Sequence, residues 1–495
     1  MLDGASPLQI AIRELAAPLG WDACVARLRE APGFWLLDSA LADGRSGRWS
    51  FAGAEPYAIA RVFGDRIEVE PCRRGGEDSP LVEASAWRAD PFEALHTIVP
   101  RAERSEVAEV IPFVGGAVGW LGYELAAHVE RVALQARSDP TMPDAAWLLV
   151  DRVLAYEHAS GRLFATALGP GDAAARAVDR FARLPIATQQ PDKTNDLTPG
   201  TDFDDFEEPL RWRDGGTGLE VGAFFDADSY AKAVVAIQRE IAAGELYQAN
   251  LTHRLAARFG GDAWRLYETL RERSPAPFSA FLELPELAIV GSSPERFLCV
   301  DADGRVETRP IKGTRPRGAT AADDARLFDE LRHSEKEHAE NAMIVDLMRN
   351  DLGRVCAPGS IEVPELFAIE RYATLFQMVS TVRGRLRAGR DVVALLRAAF
   401  PPGSMTGAPK IAAITLLARL EPVRRGVYSG ALGYLDARGG ADLCVVIRTL
   451  LCRGRQAWLH VGGGIVMDSD PVAEWEETLA KARAPLDALA ATQDV

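Results

Sequence analysis

Apolar and polar positions alternate in short runs along most of this chain, and only a few stretches repeat at helical spacing. Residues 34–37 (FWLL) read as a short buried strand, followed by Asp38-Ser39 and a Gly/Ser-rich turn to 48–51 (RWSF). Residues 111–123 (IPFVGGAVGWLGY) place five glycines or prolines between apolar residues, a pattern of bulged or bent strands in which backbones approach closely. It is no dinucleotide fingerprint, because no helix begins at its end. Residues 147–150 and 153–156 add two more strands. After Asp228-Ser229, Tyr230, Val234, Ile237 and Ile241 fall on one helical face, with Gly244 placed to stop the helix. Residues 246–251 then read as a strand with Gln248 and Asn250 on one face. Another strand, 287–290, runs into 291–298 (GSSPERFL), with Glu295 just beyond its turn. A long helix is predicted over 321–350, and Pro471 suits the first turn of another. Runs of strands separated by helices, without regular βαβ units, predict an α+β fold built on large antiparallel sheets.

Between residues 189 and 216 the pattern lapses. Asp192, Asp196, Asp202, Asp204, Asp205, Glu207 and Glu208 alternate with Pro, Thr and Gly, as in a solvated linker. The expected organisation is an N-terminal region 1–188, an acidic linker or surface loop 189–221, and a catalytic region 222–490. Composition narrows the picture further. With 495 residues and a formal net charge of -15, the chain is enzyme-sized and poorly suited to non-specific nucleic-acid binding. Its six cysteines form no CxxC pair and its seven histidines are dispersed, which fits a reducing cytoplasm and gives no zinc signature. The first residues carry no basic leader, and no run of 18 apolar residues occurs, so neither export nor a membrane span is expected.

Candidate chemistry lies in four places. Residues 307–318 (ETRPIKGTRPRG) set Lys312 among Arg309, Arg315 and Arg317, where like charge and partial burial would favour a neutral, nucleophilic amine. A basic surface turn has the same composition. Glu337 and Glu340, and likewise Glu474 and Glu477, stand three residues apart on helices, so each pair shares a face. Four carboxylates brought to one point would suit Mg²⁺, whereas two separate acidic faces would bind nothing. Lys481 follows on the face of Glu474. Residues 403–410 (GSMTGAPK) put small residues and a proline at a helix entry, either an anion seat or a plain cap. They are not a Walker A loop, since Ile411 follows Lys410. Gly462, Gly463 and Gly464 interrupt a strand, clearing a patch for a flat ligand or for another strand. Tyr428 and Arg448 could offer a hydroxyl and a guanidinium fork to a carboxylate.

Together these motifs resemble one family, the chorismate-utilising enzymes. The carriers are PIKGT around Lys312, SSPERF around Glu295, MIVDLMRNDLGRV from Met343, PPGSMTGAPK from Pro401, GGGIVMDSDP from Gly462, and the ExxET ending at Thr478. Their order matches the family from about residue 224 to 483, and 34–156 resembles its N-terminal part. The resemblance implies two large antiparallel sheets packed as a sandwich with helices outside, as in anthranilate synthase component I, with strands of both halves sharing the sheets. It implies catalysis by Lys312 and Glu295, and Mg²⁺ held by Glu337, Glu340, Glu474 and Glu477. Chorismate would be held by Ser404, Thr406, Gly407, Tyr428, Arg448, Gly462, Gly463, Gly464 and Lys481. Lys312 occupies the place of a lysine in the aminodeoxychorismate synthases, where anthranilate synthases carry alanine. Gln377 replaces the histidine that anthranilate synthases use to eliminate pyruvate. The reaction implied is amination of chorismate at C4 through a covalent lysine intermediate, on the way to 4-aminobenzoate and folate. Ammonia would come from a glutamine amidotransferase subunit, since no glutaminase motif is evident. A tryptophan pocket of the family would include Ser39, Pro277, Phe278 and Ser279. The competing readings are anthranilate synthase component I and an inactive regulator that binds chorismate or tryptophan.

Overall fold

A computed structural model describes residues 7–15, 20–41, 46–72, 82–104, 110–134, 142–183, 210–372 and 375–493. Most of the acidic stretch, 189–209, therefore lies outside the described residues. The alternating segments assemble into two antiparallel sheets of 13 and 12 strands. In the larger sheet, Trp35–Asp38 from the first half pairs with Phe278–Glu283 from the second. In the smaller one, Gly116–Leu121 pairs with Ala431–Asp436. Each sheet is thus N-terminal on one side of its seam and C-terminal on the other.

The second seam explains the glycines of 111–123. Gly119 lies opposite Gly433, and a Cβ on Gly119 would overlap the Ala146 carbonyl of the next strand. Strand interiors rarely tolerate glycine, but here it permits backbones to close on one another. Between the sheets lies an apolar layer that includes Trp35, Phe51, Phe113, Trp120, Leu148 and Tyr434. Helices cover both outer faces. Trp21–Leu28, Ala173–Phe181, Ala263–Arg273 and Pro471–Ala491 pack on the larger sheet, and Glu335–Gly353 and Val392–Ala399 on the smaller. The alternation of apolar residues puts one face of each strand between the sheets and the other under helices, which is why so many strands read as continuously apolar. No helix of the described residues is long and apolar enough to cross a membrane.

Three elements depart from the sequence reading. The helix expected over 321–350 is two, Ala321–Arg332 and Glu335–Gly353. Ser334 breaks it by accepting a hydrogen bond from the Glu337 N–H, as a serine at a helix start does. The described part of the 189–221 span is a hairpin, in which Leu210–Arg213 pairs with Glu220–Ala223 at the edge of the larger sheet. Finally, the helix Ala227–Ala242 starts earlier than expected, from a reciprocal cap of Asp226 and Ser229, and ends as expected at Gly244, whose φ is +82°.

Candidate active site

Lys312 stands on the strand Ile311–Pro316, which pairs with Leu375–Arg385. The register slips between Ile311 and Thr314, so Lys312 and Gly313 (φ +86°) form a bulge that re-aims the lysine. Its Nζ lies 3.5 Å from the place a Cβ on Gly464 would take. No hydrogen bond or ion pair among the described residues holds it. The arginines that surround it in sequence do not surround it in space. Arg309 pairs with Glu370, Arg315 with Glu330 (3.1 Å) and Glu337 (3.3 Å), and Arg317 with Asp324 (2.7 Å). The charges that Lys312 meets are instead the carboxylates of Glu295, Glu340 and Glu477. Strand alternation and the bulge separate the basic run, so crowding by like charge is not the device at this site.

Glu295 is buried at the end of the strand Ala288–Ser293. Its carbonyl accepts from Val445 N–H (2.9 Å), and its carboxyl accepts from the Ser404 hydroxyl and the Ile311 N–H. Burial pushes the carboxyl up to about 7, against the lowering effects of Ser404 and Lys312. A carboxyl so placed can carry a proton near neutral pH and give it up.

The four glutamates lie near one another on facing helices. Burial raises Glu340, with Glu337 and Glu474 adding repulsion, and burial raises Glu474 in the same way, with repulsion from Glu477. In this conformation each carboxylate has a neighbour of its own. Arg315 holds Glu337, Lys336 lies 3.9 Å from Glu340, Ser469 donates to Glu474 (2.7 Å), and Lys481 pairs with Glu477 (2.8 Å). Among the described residues no three ligating side chains are gathered as a metal cluster. The donor chemistry nevertheless suits a hard cation. Four carboxylates that repel one another are held apart by three cationic side chains, the role a divalent ion would take over.

The glycine strand Gln456–Ile465 does not clear a single patch. A Cβ on Gly463 would stand 2.9 Å from Glu474 Oε2, whereas one on Gly464 would stand 2.5 Å from Gln248 Nε2. Successive residues face opposite sides, so Gly464 opens toward Lys312 and Gly463 makes room for Glu474. Lys481 donates to the Gly462 carbonyl (2.8 Å), fixing the helix Pro471–Ala491 over this strand. Gln248 was missed as a site residue. It is fully buried, and both its amide atoms lack a partner among the described residues. A glutamine and an asparagine facing one way in an otherwise apolar strand were the available signal.

Arg448 precedes the strand Thr449–Arg453 with φ +50°, a conformation uncommon outside glycine. Burial lowers its guanidinium below the usual arginine range, and no carboxylate among the described residues pairs with it. Tyr428 is buried and stacked on His460, with ring centroids 5.3 Å apart. The 403–410 segment divides its work. Ser404 serves Glu295, whereas the Thr406 carbonyl accepts from Asn250 N–H (2.8 Å) and Gly407 pairs with Ala249. Lys410 is buried against Asp351 (2.8 Å) and the Ala399 carbonyl (2.8 Å), so it anchors the helix Lys410–Leu420.

A second feature lies between the sheets. Ser39, Pro277, Phe278 and Ser279 line a cavity of about 510 Å³, together with Trp49 and Tyr434. Ser39 Oγ lies within hydrogen-bond reach of the Trp49 carbonyl (2.7 Å) and of the Pro277 carbonyl (3.3 Å) in the second half of the chain.

The fold agrees with what the chain resembles among known proteins. The chorismate binding enzyme family model matches residues 40–487, and the chain belongs to that family. It is 40% identical over 489 residues to an aminodeoxychorismate synthase of Streptomyces griseus, covering 97% of this chain and 64% of that one. The chain thus spans less than two thirds of the length of that relative. It is 36% identical to aminodeoxychorismate synthase component 1 of Escherichia coli, covering 92% of this chain and 93% of the other. An anthranilate synthase component 1 of Streptomyces coelicolor is 38% identical, covering 92% and 83%. Among solved structures, anthranilate synthase component I of Streptococcus pneumoniae superposes with a TM-score of 0.71 at 26% identity, covering 89% of this chain and 92% of that one.

Proposed function

We propose that this protein aminates chorismate at C4, yielding 4-amino-4-deoxychorismate, as the component of an aminodeoxychorismate synthase that carries the chorismate chemistry. The observation that supports this most directly is the pairing of Lys312, unbonded over the gap left by Gly464, with Glu295, whose carboxyl stays protonated up to about pH 7. In the first step Lys312 reacts as its free amine: its nitrogen bonds to C2 of the ring, both ring double bonds shift, and the C4–O bond breaks. Glu295 gives its proton to the departing oxygen, which leaves as water. Ammonia then bonds to C4, both double bonds shift back, and the C2–N bond breaks. Lys312 is released as the amine, and a proton from the incoming nitrogen returns to Glu295. Neither step needs an oxidant or reductant.

Arg448 is the guanidinium available for a substrate carboxylate, and the Gly464 gap lets the ring lie against backbone. Glu337, Glu340, Glu474 and Glu477 would hold Mg²⁺, which supplies charge neutralisation for the ring carboxylate when bound. To do so, Glu337 would leave Arg315 and Glu477 would leave Lys481. Ammonia would reach the site from a glutamine amidotransferase subunit. The cavity at Ser39 and Phe278 has aromatic walls and hydrogen-bonding edges suited to tryptophan.

Anthranilate is the rival product, favoured by the 38% identity to an anthranilate synthase component 1. One assay separates the two. Purified protein is mixed with chorismate, Mg²⁺ and an ammonium salt, and products are resolved by chromatography and mass. The expected product has hydroxyl replaced by amine and retains its enolpyruvyl group. Release of pyruvate with anthranilate would overturn the reading. In the same assay Lys312→Ala should lose most turnover, and a wild-type rate in that variant would exclude the covalent step.

A further inference from the structure

One buried ion pair near the site is bonded far beyond what pairing requires. Arg425, in the loop between the helix Lys410–Leu420 and the strand Ala431–Asp436, is 1% exposed. A guanidinium offers five N–H donors in a fixed plane, and burying it is costly unless they are met. Arg425 makes five hydrogen bonds. Nε and Nη2 donate to the two oxygens of Glu421 (2.8 and 2.7 Å), at the end of that helix. The other three reach past the pair. Nη2 donates to the Asn250 carbonyl (2.7 Å), and Nη1 to the Met405 carbonyl (2.7 Å) and the Ser429 hydroxyl (3.2 Å). The guanidinium also lies over the Tyr123 ring, 4.3 Å from its centroid. Glu421 is equally committed, since its Oε1 accepts from the N–H (2.9 Å) and the hydroxyl (3.0 Å) of Thr252.

The three outer acceptors come from separate stretches of chain, and each adjoins a candidate site residue. Asn250 stands opposite Gly464 on the strand that carries Gln248. Met405 follows Ser404, whose hydroxyl donates to Glu295. Ser429 follows Tyr428, is buried, and holds φ at +63°, a left-handed conformation that a serine keeps where its surroundings impose it. The short turn Gly403–Met405 has no side-chain cap of its own, and the bond from Arg425 holds it from outside. The loop is in turn fixed from the first half of the chain. Glu124 accepts from the Arg425 N–H (2.8 Å) and the Gly426 N–H (3.0 Å). A planar fork anchored at its root can set three segments relative to one another, which a flexible ammonium cannot do.

We propose that Arg425 is a positioning residue for the reaction: its guanidinium fixes the 403–410 segment so that the Ser404 hydroxyl stays on Glu295. The proposal rests on the amination reading above in taking Glu295 as the acid. Ser404 stabilises the Glu295 carboxylate, as do Lys312 and the Ile311 N–H. Phe297, Ile344, Met348 and Val445 close the same small space, and Arg296 beside it is taken up by Asp442 (2.8 Å) and Glu307 (2.8 Å). Loosening the segment therefore removes one stabilising hydrogen bond, and Glu295 keeps its proton to higher pH.

The test compares wild type, Arg425→Lys, Ser404→Ala and the Arg425→Lys/Ser404→Ala double variant, all as the full chain. Arg425→Lys keeps the charge and loses the fork. Glu295 titration is followed by carbon-13 NMR of glutamate-labelled protein, its signal assigned from Glu295→Gln. In parallel, kcat/KM with chorismate, Mg²⁺ and ammonium is measured against pH. In Arg425→Lys both the titration midpoint and the alkaline limb should move upward by about one pH unit, the size of one lost hydrogen bond to a carboxylate. Ser404→Ala should show the same shift, and the double variant no more than either, because both act through one bond. A role in stability alone would lower Tm and leave the midpoint in place. Leu163→Ala, a change in the buried core of the first half, is the control for that behaviour. An unmoved midpoint in Arg425→Lys, or additive shifts in the double variant, overturns the proposal. If Arg425→Lys does not fold, Arg425→Met/Glu421→Leu replaces the buried pair with apolar groups of similar volume, and the same shift is expected. Failure of that variant to fold as well would make the fork a requirement of the fold alone and overturn the proposal. The amination reading fails separately, when wild type forms no aminated product while the Glu295 titration still moves with Arg425.

Discussion

The cavity between the sheets and the site at Lys312 are built from similar residues in opposite ways. Around the cavity the charges answer one another. Asp38 accepts from Ser50 (2.8 Å), Tyr267 (3.0 Å) and Arg271 (2.6 Å), Arg296 spans Asp442 (2.8 Å) and Glu307 (2.8 Å), and Arg438 closes on Asp436 (2.6 Å). In the candidate site, polar groups are left open among the described residues: the lysine itself, both atoms of the Gln248 amide, and the Arg448 guanidinium. A closed network of buried charges is rigid and neutral, so it sets a shape. An open set carries desolvation costs that only a ligand can offset, so it marks where binding does chemical work. The difference teaches that burial alone does not mark a site; buried charged and amide groups left open beside an amine do.

Breaking the open set should have the largest effect. Glu295→Gln removes the proton donor while keeping its shape, and turnover should fall about 10²–10⁴-fold, measured with saturating ammonium. The same variant sharpens the contrast through stability. The folded-state value, about 7, lies above the ordinary 4.5, so the folded protein holds the extra proton between those values. Wild-type stability should therefore fall as pH rises from 4.5 to 7, and at pH 8 Glu295→Gln should be more stable by up to about 3 kcal/mol. Thermal melts of both proteins at pH 5 and pH 8 check this, and a difference between wild type and variant that is the same at both pH values would contradict it. Wild-type kcat/KM should decline above about pH 7 as the acid is lost, a limb missing from Glu295→Gln.

Next in size, Arg448→Ala should raise KM for chorismate by roughly 10- to 100-fold, the loss of about 1.5–3 kcal/mol from a charge-assisted pair, with kcat less affected. An effect on kcat alone would place Arg448 away from the ground-state carboxylate. The smallest effect belongs to the closed region. Tryptophan should bind there and raise Tm by a few degrees without altering turnover rate at saturating chorismate. Ser39→Phe should abolish that shift and leave the Lys312 chemistry intact. If Ser39→Phe instead abolished turnover, the two regions would not be separable as the geometry implies.

Much of this was legible in the sequence because it depends on local pattern. Alternation disclosed the strands, and the glycines of 111–123 announced close backbones. Motif order brought Lys312, Glu295 and the paired glutamates into one reading. What escaped depends on direction rather than identity. The arginines beside Lys312 turn away because strand residues alternate and a bulge intervenes. Gly463 and Gly464 open to opposite sides for the same reason. The break at Ser334 needed only one side-chain hydrogen bond, too small a signal to outweigh a long helical pattern. Gln248 looked like an ordinary strand residue because nothing in a sequence shows that an amide lacks partners.

The seam between the two halves has a consequence for how the chain is made. Leu121 finds its neighbour in Ala431, and neither sheet is complete until that later strand exists. Synthesis at about 5–20 residues per second leaves the earlier strand waiting through roughly 300 residues, a quarter of a minute to a minute. During that interval the edge of Gly116–Leu121, apolar on both faces, is open to any other strand. The protein should therefore depend on holding chaperones during translation far more than after it, and ribosome-bound chains halted before residue 431 should aggregate on release where finished chains do not.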